Sequence, residues 1–489
     1  MVTLADLRWD NRFAALPEAF HQRVAPTAVP APYPIAWNEV LADELGWPGS
    51  LDDPATLAVL AGNSVLDPMA PVASAYAGHQ FGAWVPQLGD GRAIILGTLV
   101  TPDQRRVEIQ LKGAGLTRWS RMGDGRAVLR STIREYLGSA AMRGLGIPTT
   151  DALAIVGSDL PVFRERTETA AILTRVAPTH VRFGTFEYFA ARRMHEEQRT
   201  LADFVIADHY PHLLALPATE RHGAWYTEVV ERTARLMAMW IAAGFAHGVM
   251  NTDNFSITGL TIDYGPYGWM DGYDPAFVCN HSDWAGRYGF DQQPMVGLWN
   301  CARLGEALHP LVDEPTALAA LERYRTAYED EVAARMRAKL GLAAAEDDDV
   351  PLATALLELM RQHGADYART FRALSRWDGD DEDTLPPLVA EVGDRDALLP
   401  WLDRYATRLA REPRAAAARH AAMLATNPKF TLRNWVAQDV IQNAETRNHA
   451  LVDEVRRVLE DPFAEHPAME RYATKPPEWA REIVVSCSS

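Results

Sequence analysis

Cysteine is scarce in this 489-residue chain, which contains only three, at positions 279, 301 and 487. Three cysteines are too few for a disulfide framework, and none stands in the Cys-x-x-Cys spacing that would indicate a zinc site. The chain is 48% hydrophobic and 23% charged, which is the balance of an ordinary globular protein. At this length the composition predicts two or three domains or lobes around a large core.

Basic residues are in deficit. The chain has 48 Lys and Arg against 65 Asp and Glu, a formal net charge of −17. Because a nucleic-acid binder shows a surplus or a stripe of basic residues, we expect no nucleic-acid partner. A local basic pocket could still bind a small anion. Lysine occurs only four times, so each lysine is a position at which to ask whether a compact ammonium group is required.

Long hydrophobic runs are also missing. The longest, at 236–245, has Gly244 inside it and is far shorter than the ~20 residues that a membrane helix needs. The first 20 residues contain no basic segment followed by an apolar one, as a signal peptide would. We therefore expect a cytoplasmic protein with no membrane partner.

The pattern along the chain changes twice. Residues 1–72 are punctuated by Pro and Trp and predict an extension with short helices. Residues 73–178 predict strands at 92–100, 106–112, 151–156 and 170–176, with a helix at 127–142. From 179 to 489 helices dominate, including a long one at 223–243, with two short strands at 255–258 and 260–263. Acidic runs at 346–349 and 378–383 predict solvated turns. A β-rich lobe followed by a helical lobe with a small β insertion is the order found in protein kinases.

The strand at 106–112 alternates, with Glu108, Gln110 and Lys112 on its polar face. It follows a turn, Gly89-Asp90-Gly91-Arg92, in which glycines would let backbone N–H groups approach phosphates and Arg92 would add donors. In kinases a strand lysine beside such a turn binds nucleotide phosphates and is held by a Glu of the next helix. Glu135 is the candidate partner of Lys112. The alternative is a solvent-facing lysine and a surface glutamate.

The segment after the long helix resembles a kinase catalytic loop. His247 takes the place of the loop histidine and Asn254 that of the metal-binding asparagine, seven residues later. Asp263-Tyr264-Gly265 takes the place of Asp-Phe-Gly, whose aspartate holds Mg²⁺. The oxygens of Asn254 and Asp263 would suit a hard divalent cation.

Val249 stands where a kinase keeps its catalytic aspartate. This substitution predicts either an inactive pseudokinase or a changed chemistry in which Asp253 is the nearest available base. Arg175 and Arg182 lie in apolar surroundings, where a guanidinium is costly unless an anion meets it. A triphosphate and an ordinary salt bridge are both compatible with that pattern.

These motifs resemble the selenoprotein O (SelO) family, protein adenylyltransferases with a protein-kinase-like fold. The resemblance runs almost end to end, although Arg118-Trp119 stands where the family tends to have Pro-Tyr and Ala140 where an acidic residue is common. It implies an α+β, bilobal kinase-like fold with a β-rich N-lobe, a mostly helical C-lobe, and N-terminal and C-terminal extensions. The segments that carry the resemblance include YAGHQFGAWVPQLGDGRAIILG, GDGRAVLRSTIREYL, HGVMNTDNFSITGLTIDYGPYGWMD and NPKFTLRN.

The resemblance implies that ATP binds inverted relative to kinases and that AMP passes to Ser, Thr or Tyr hydroxyls of protein substrates. Asp253 would accept the proton, and Asn254 and Asp263 would bind Mg²⁺ or Mn²⁺. UMP transfer is a further expectation. Cys487 stands where some members carry selenocysteine, and we hypothesise a reversible disulfide between it and Cys279. The residues expected to contact ATP are Gly89, Gly91, Arg92, Lys112, Asp124, Gly125, Arg175, Arg182 and Asp263.

Two other functions remain open at this point. The chain could be a kinase that phosphorylates a protein or a small molecule, against which Val249 counts. It could also be a catalytically inactive scaffold that binds nucleotide. The sequence does not identify the protein substrates.

Overall fold

The computed structural model describes residues 3–379 and 383–486. The fold is α+β, with a nine-stranded antiparallel sheet in the first 177 residues and a mainly helical region after it. The strands are β1 Arg8–Trp9, β2 His21–Arg23, β3 Tyr33–Trp37, β4 Val72–Ser74, β5 Gly78–Gln80, β6 Ala83–Val85, β7 Ala93–Val100, β8 Arg106–Lys112, β9 Ala127–Val128, β10 Asp151–Phe163, β11 Thr167–Ala177, β12 Phe245–Ala246 and β13 Gly268–Trp269. The helices are α1 Glu39–Leu45, α2 Pro54–Leu60, α3 Leu129–Gly144, α4 Phe183–Ala191, α5 His195–His209, α6 Ala218–Ala243, α7 Gln293–Ala307, α8 Glu314–Lys339, α9 Asp349–His363, α10 Tyr367–Leu374, α11 Leu385–Val392, α12 Arg395–Leu409, α13 Ala416–Leu424, α14 Asn434–Glu445 and α15 Ala450–Glu460.

The large sheet has the order β2-β4-β7-β8-β11-β10-β3, with β1 paired to β7 and β9 paired to β11. Three of its nine strands, β1, β2 and β3, come from the first 72 residues. The segment expected to be an extension therefore forms part of the sheet. Residues 127–128, expected at the start of a helix, pair with β11 as β9 instead, so α3 begins two residues later.

Strand β8 is buried on both faces. Val107, Ile109 and Leu111 pack into a core that includes residues of α1 and α2, as the alternation predicts. Gln110 and Lys112 lie on the opposite face, and they are buried as well. This polar face therefore points into the protein interior, where each charge needs a partner.

Helix α6 ends where the sequence predicts, at Gly244, which adopts a left-handed φ of +68°. The strands expected at 255–258 and 260–263 are wrong. In this described part of the chain only single bridges form, from Ser256 to Arg182 and from Thr261 to Thr149. Gly259 turns the backbone at φ +76° and Asp263 at φ +59°, so neither extended stretch continues into a ladder.

The acidic run at 346–349 is only partly a solvated turn. Asp349 is buried, begins α9, and accepts a hydrogen bond from the buried Arg408 Nε at 2.7 Å. The second run, at 378–383, lies partly outside the described residues. Within the described ranges, no helix combines the length and the apolar character that crossing a bilayer requires.

Candidate active site

A cavity of about 610 Å³ lies where the large sheet meets the helical region. That volume is within the range of nucleotide and cofactor sites. Seven basic and four acidic side chains line it, so it is locally positive in a strongly acidic protein. They are Arg92, Lys112, Arg121, Arg126, Arg164, Arg175 and Arg182, and Asp90, Asp124, Asp253 and Asp263.

Lys112 and Arg175 share one buried carboxylate. Glu135 of α3 accepts hydrogen bonds from Lys112 Nζ through Oε2 and from Arg175 Nε through Oε1, each at 2.5 Å. The register of β8 against β11 places Arg175 opposite Gln110, whose Oε1 accepts from Arg175 Nη1 at 3.1 Å. Burial lowers the pKa of Lys112 to about 8. The solvent-facing alternative for Lys112 and Glu135 does not hold.

Asp263 is the second carboxylate that pairs with these cations, and it also pairs with Arg182. Its Oδ1 accepts from Arg175 Nη2 at 2.7 Å and its Oδ2 from Arg182 Nη1 at 2.5 Å, while Lys112 Nζ lies 3.9 Å from Oδ1. Burial alone would raise the pKa of Asp263, but the charges of Arg182, Arg175 and Lys112 hold it well below its usual range. The arginines therefore form the salt bridges that one alternative predicted, and both also line the cavity, where triphosphate binding stays a prediction.

Arg92 differs from Lys112, Arg175 and Arg182, which all form ion pairs. Its side chain lines the cavity and forms no hydrogen bond or ion pair with any residue of the described ranges. Burial lowers the pKa of its guanidinium. A guanidinium in such surroundings favours an anionic ligand.

Asp253 is a buried carboxyl group in a 3₁₀ turn, Thr252–Asn254, on the helical side of the cavity. Its Oδ2 accepts from Gln80 Nε2 at 3.3 Å, whereas its buried Oδ1 has no hydrogen-bond partner in the described structure. Burial raises the pKa of Asp253 to about 7. A carboxylate with these properties can accept a proton at neutral pH.

The hairpin of β5 and β6 holds this turn in place. The backbone N–H of His79 donates to Thr252 Oγ1 at 2.7 Å, and Gln80 reaches Asp253. A Cβ on Gly78 would lie 2.7 Å from Asp253 Oδ1, so only glycine permits this approach. Gln80 is a site residue that the sequence did not predict, although Gly78 and Gly82 on either side of it are a local signal for the hairpin.

The residues aligned with the kinase loop occupy different positions in the site. His247 is buried and its Nε2 lies 2.9 Å from the carbonyl oxygen of Ile262, away from the cavity lining. Val249 and Asn254 both line the cavity, and Asn254 Nδ2 donates to the carbonyl oxygen of Val249 at 3.0 Å. That bond leaves the amide oxygen of Asn254 as an acceptor.

The donor set at the cavity fits a hard cation only with ligand oxygens added. Asn254 and the ionised Asp263 supply two oxygen-bearing side chains to one cavity, and Mg²⁺ commonly uses few protein ligands besides phosphates and water. No group of three or more His, Cys, Asp or Glu side chains suited to a metal occurs within residues 3–379 and 383–486.

The glycines of the first turn have a packing role. Gly89 has φ +103°, and a Cβ there would lie 2.8 Å from Cδ1 and Cδ2 of Trp119. At Gly91 a Cβ would lie 2.9 Å from the carbonyl oxygen of Trp119. These glycines line the cavity, but their lack of a side chain is required by the 119–120 segment. Trp119, one of the departures from the family pattern, therefore shapes the cavity wall.

Asp124 and Gly125 lie in the second Gly-Asp-Gly segment, which the fold brings to the same cavity as the first. Asp124 is exposed and receives two hydrogen bonds from Arg164, at 2.8 and 3.0 Å, which lower the pKa of the carboxyl group. Gly125, at φ +71°, packs against the backbone of Gly115. Arg164, in the turn between β10 and β11, was missed because nothing in its local sequence indicates a partner 40 residues away.

Cys279 is buried, and its Sγ lies 3.4 Å from the carbonyl oxygen of Ala246. Cys487 lies outside the described residues. The C-terminal segment nevertheless contacts a neighbour of Cys279 in sequence. The N–H of His281 donates to the carbonyl oxygen of Val485 at 2.9 Å.

Comparison with known proteins identifies one family. The family model "Protein adenylyltransferase SelO" matches residues 3–460. A protein nucleotidyltransferase YdiU of Thioalkalivibrio sulfidiphilus is 52% identical over 499 residues, covering all of both chains. Proteins with the same name from Myxococcus xanthus and Vibrio cholerae are 51% and 47% identical, over 100% and 98% of each chain.

Proposed function

The chain belongs to the SelO family of protein adenylyltransferases, and from this membership we propose that it transfers AMP from ATP to Ser, Thr or Tyr hydroxyls of proteins. The observation that carries the proposal is the basic cavity with its unpaired Arg92 beside the buried Asp253. Such a site offers charge for a polyphosphate and a base for a hydroxyl. UMP transfer from UTP would use the same groups.

The kinase-like, bilobal arrangement is part of this proposal. The sheet would form the N-lobe and the helical region the C-lobe, with the cavity between them. The buried pair of Lys112 and Glu135 supports it, since a strand lysine held by a helix glutamate is typical of kinases. The expected boundaries, at 72/73 and 178/179, stay a prediction.

In the proposed reaction, a hydroxyl oxygen of the acceptor attacks the α-phosphorus of ATP. The new P–O bond forms as the bond between the α-phosphorus and the bridging oxygen breaks, and pyrophosphate leaves with that electron pair. The hydroxyl proton passes to the carboxylate of Asp253, whose buried Oδ1 has no other partner in the described structure. Lys112, Arg92, Arg175 and Arg182 would stabilise the charge on the departing phosphates.

Asn254 and Asp263 would hold a divalent cation, Mg²⁺ or Mn²⁺, together with phosphate oxygens. A bound cation would supply charge neutralisation at the phosphates. Asp263 forms ion pairs with Arg175 and Arg182, and its low pKa keeps it ionised whether it binds these arginines or a cation. Gly89, Gly91, Asp124 and Gly125 would form the wall against which ATP lies.

ATP labelled in the α- or the γ-phosphate tests the function. We expect α label on acceptor proteins and no γ label. Protein-bound γ label would instead indicate a kinase, and no label with retained ATP binding would indicate a scaffold. Asp263→Ala should abolish labelling, whereas Asp159→Ala, at an exposed surface ion pair, serves as the matched control. Full labelling by Asp263→Ala would contradict the proposed site.

The reversible disulfide of Cys279 with Cys487 also stays a prediction. The hydrogen bond between His281 and Val485 supports it, because His281 follows Cys279 by two residues and Val485 precedes Cys487 by two residues. Non-reducing mass spectrometry of the oxidised protein should find the two cysteines in one cross-linked peptide pair. Detection of both thiols unmodified would refute it.

A further inference from the structure

A second, larger cavity opens beside the candidate active site. It is a groove of about 1270 Å³ formed by α7, by α8 and by the segment at 276–291. Several large apolar side chains on it are exposed, including Met295 at 64%, Leu318 at 55% and Val278 at 38%. Exposed apolar clusters of this kind mark surfaces that bind another molecule.

Phe81 is the wall between this groove and the active-site cavity, because its side chain lines both. It has φ +50°, an uncommon conformation for a bulky residue, and its N–H is anchored on Tyr288 Oη at 2.8 Å and on Asn251 Oδ1 at 3.2 Å. The preceding residue, Gln80, donates to Asp253. Two consecutive residues, Gln80 and Phe81, thus connect the candidate base Asp253 with the groove.

The charged side chains that line the groove are mainly acidic, and the acidic ones form no ion pairs within the described ranges. Asp291 and Glu322 line it, both are exposed, and neither forms an ion pair with a residue of the described ranges. The one basic lining residue, Arg287, has its guanidinium 4.8 Å from the ring centre of Trp299. A partner for this surface would therefore combine an apolar side chain with a basic one.

We propose that this groove docks the acceptor protein as an extended segment in which apolar and basic side chains flank the hydroxyl to be modified. The inference rests on the proposed function. The continuity through Phe81 identifies the occupant, because a chain whose hydroxyl reaches Asp253 meets the groove directly past Phe81, which lines both cavities. Apolar contact with Met295 and Leu318 would provide affinity, and Asp291 and Glu322 would select basic residues.

Synthetic peptides of 13 residues with one central Ser, Thr or Tyr provide the probe. One set carries Leu and Arg on either side of the hydroxyl, and the other carries Asp and Glu at those places. AMP incorporation is measured by mass, and ATP affinity is measured in parallel. We expect wild-type kcat/KM to be at least tenfold higher for the Leu/Arg set.

Met295→Asp and Leu318→Asp should each lower kcat/KM for the Leu/Arg set at least tenfold, mainly through the peptide KM. Val350→Asp, at a position 54% exposed on α9 and outside the groove, is the matched control. Glu322→Lys should shift the preference toward peptides with Glu. Equal use of both peptide sets by wild type and variants would overturn the docking inference, as would a parallel loss of ATP affinity.

Two results separate this inference from its premise. AMP transfer to peptides without any preference would overturn the groove and leave the adenylyltransferase activity standing. Absence of AMP transfer to every peptide and to the protein itself would overturn the proposed function, and the docking inference with it. Sedimentation of wild type as a dimer that Met295→Asp dissociates would assign the groove to a second copy instead.

Discussion

The charged side chains of the site form one connected system. Glu135 bridges Lys112 and Arg175, and Asp263 bridges Arg175 and Arg182, so these three cations all have a carboxylate partner. Buried charges persist only with such partners. Arg92 has no such partner among the described residues and lines the cavity, where an incoming phosphate would supply negative charge.

Asp253→Asn should lower the rate of AMP transfer by roughly two to four orders of magnitude, which is the usual contribution of a general base. The asparagine keeps the shape of the side chain but cannot accept the proton. Steady-state kinetics should place the loss in kcat. Asp124→Asn, which alters an exposed carboxylate of the same cavity, should act mainly on the KM for ATP. An unchanged kcat for Asp253→Asn would exclude Asp253 as the base.

Lys339, at the end of α8, is a buried lysine remote from the site. Its Nζ lies 4.5 Å from the ring centre of Phe371 and 5.2 Å from that of Tyr367, and it has no carboxylate within ion-pair distance among the described residues. Burial, assisted by the charge of Arg335, lowers the pKa of Lys339 to about 7. The native state therefore releases a proton that the unfolded state keeps up to pH 10.5.

Lys339→Met should raise the free energy of unfolding by about 1–3 kcal/mol at pH 6. Between pH 7 and 10.5 the unfolded wild type binds more protons than the native one, so wild-type stability rises with pH and the benefit shrinks. Denaturant unfolding at pH 6, 7.5 and 9 measures this trend. Lys475→Met, at an exposed site, should show no such trend. A destabilising Lys339→Met at pH 6 would refute the argument.

At the scale of elements, close approach between loops determines the shape of the cavity. The first Gly-Asp-Gly turn packs on the 119–120 segment, the β5–β6 hairpin packs on the 252–254 turn, and the β10–β11 turn reaches Asp124. Each contact joins segments far apart in the chain. A small displacement of one loop therefore changes the position of groups on another.

Gly89→Ala tests this coupling. The added Cβ would meet Trp119 and would also require an unfavourable positive φ, so we expect a loss of about 2–4 kcal/mol of stability and at least tenfold weaker ATP binding. Gly146→Ala is the control, because Gly146 has φ +68° but nothing within 4 Å of a Cβ. It should cost only about 1 kcal/mol. Equal effects of the two substitutions would show that the contact with Trp119 is unimportant.

At the scale of the whole molecule, helix α15, close to the C-terminus, anchors two helices of the N-terminal region through partly buried polar contacts. Arg456 of α15 is fully buried and donates to Glu39 Oε2 and Glu460 Oε2, each at 2.6 Å. Asp453 of the same helix accepts from Tyr136 of α3 at 2.9 Å. Helix α15 thus holds both α1 and α3, and α3 carries the Glu135 of the candidate site.

Arg456→Gln should destabilise the protein by about 2–4 kcal/mol, because it leaves partly buried carboxylates without their cation. Its neighbour Arg457 provides the control. Arg457 is 58% exposed and donates to Glu39 at 3.0 Å, so Arg457→Gln should cost less than about 1 kcal/mol. Denaturant unfolding of both variants measures the difference. Similar losses of stability for the two variants would show that Arg456 does not anchor α15.

Local patterns in the sequence determined the elements that depend on near neighbours. The alternation at 106–112 predicted both faces of β8, and the apolar run ending at Gly244 predicted the end of α6. The order of a strand lysine followed by a helix glutamate, as in kinases, allowed the pairing of Lys112 and Glu135 to be predicted. The strands expected at 255–263 failed because an apolar run does not reveal whether a partner strand lies beside it.

Only the tertiary structure decided how the charges are paired. That Arg175 and Arg182 both meet Asp263, that Gln80 reaches Asp253 and that Arg164 reaches Asp124 depend on residues 40 to 173 positions apart. Periodicity records which face of an element is apolar, but it carries no information on which distant element covers that face. Sequence therefore determined the kinds of groups at the site, and the folding of the chain determined their partners.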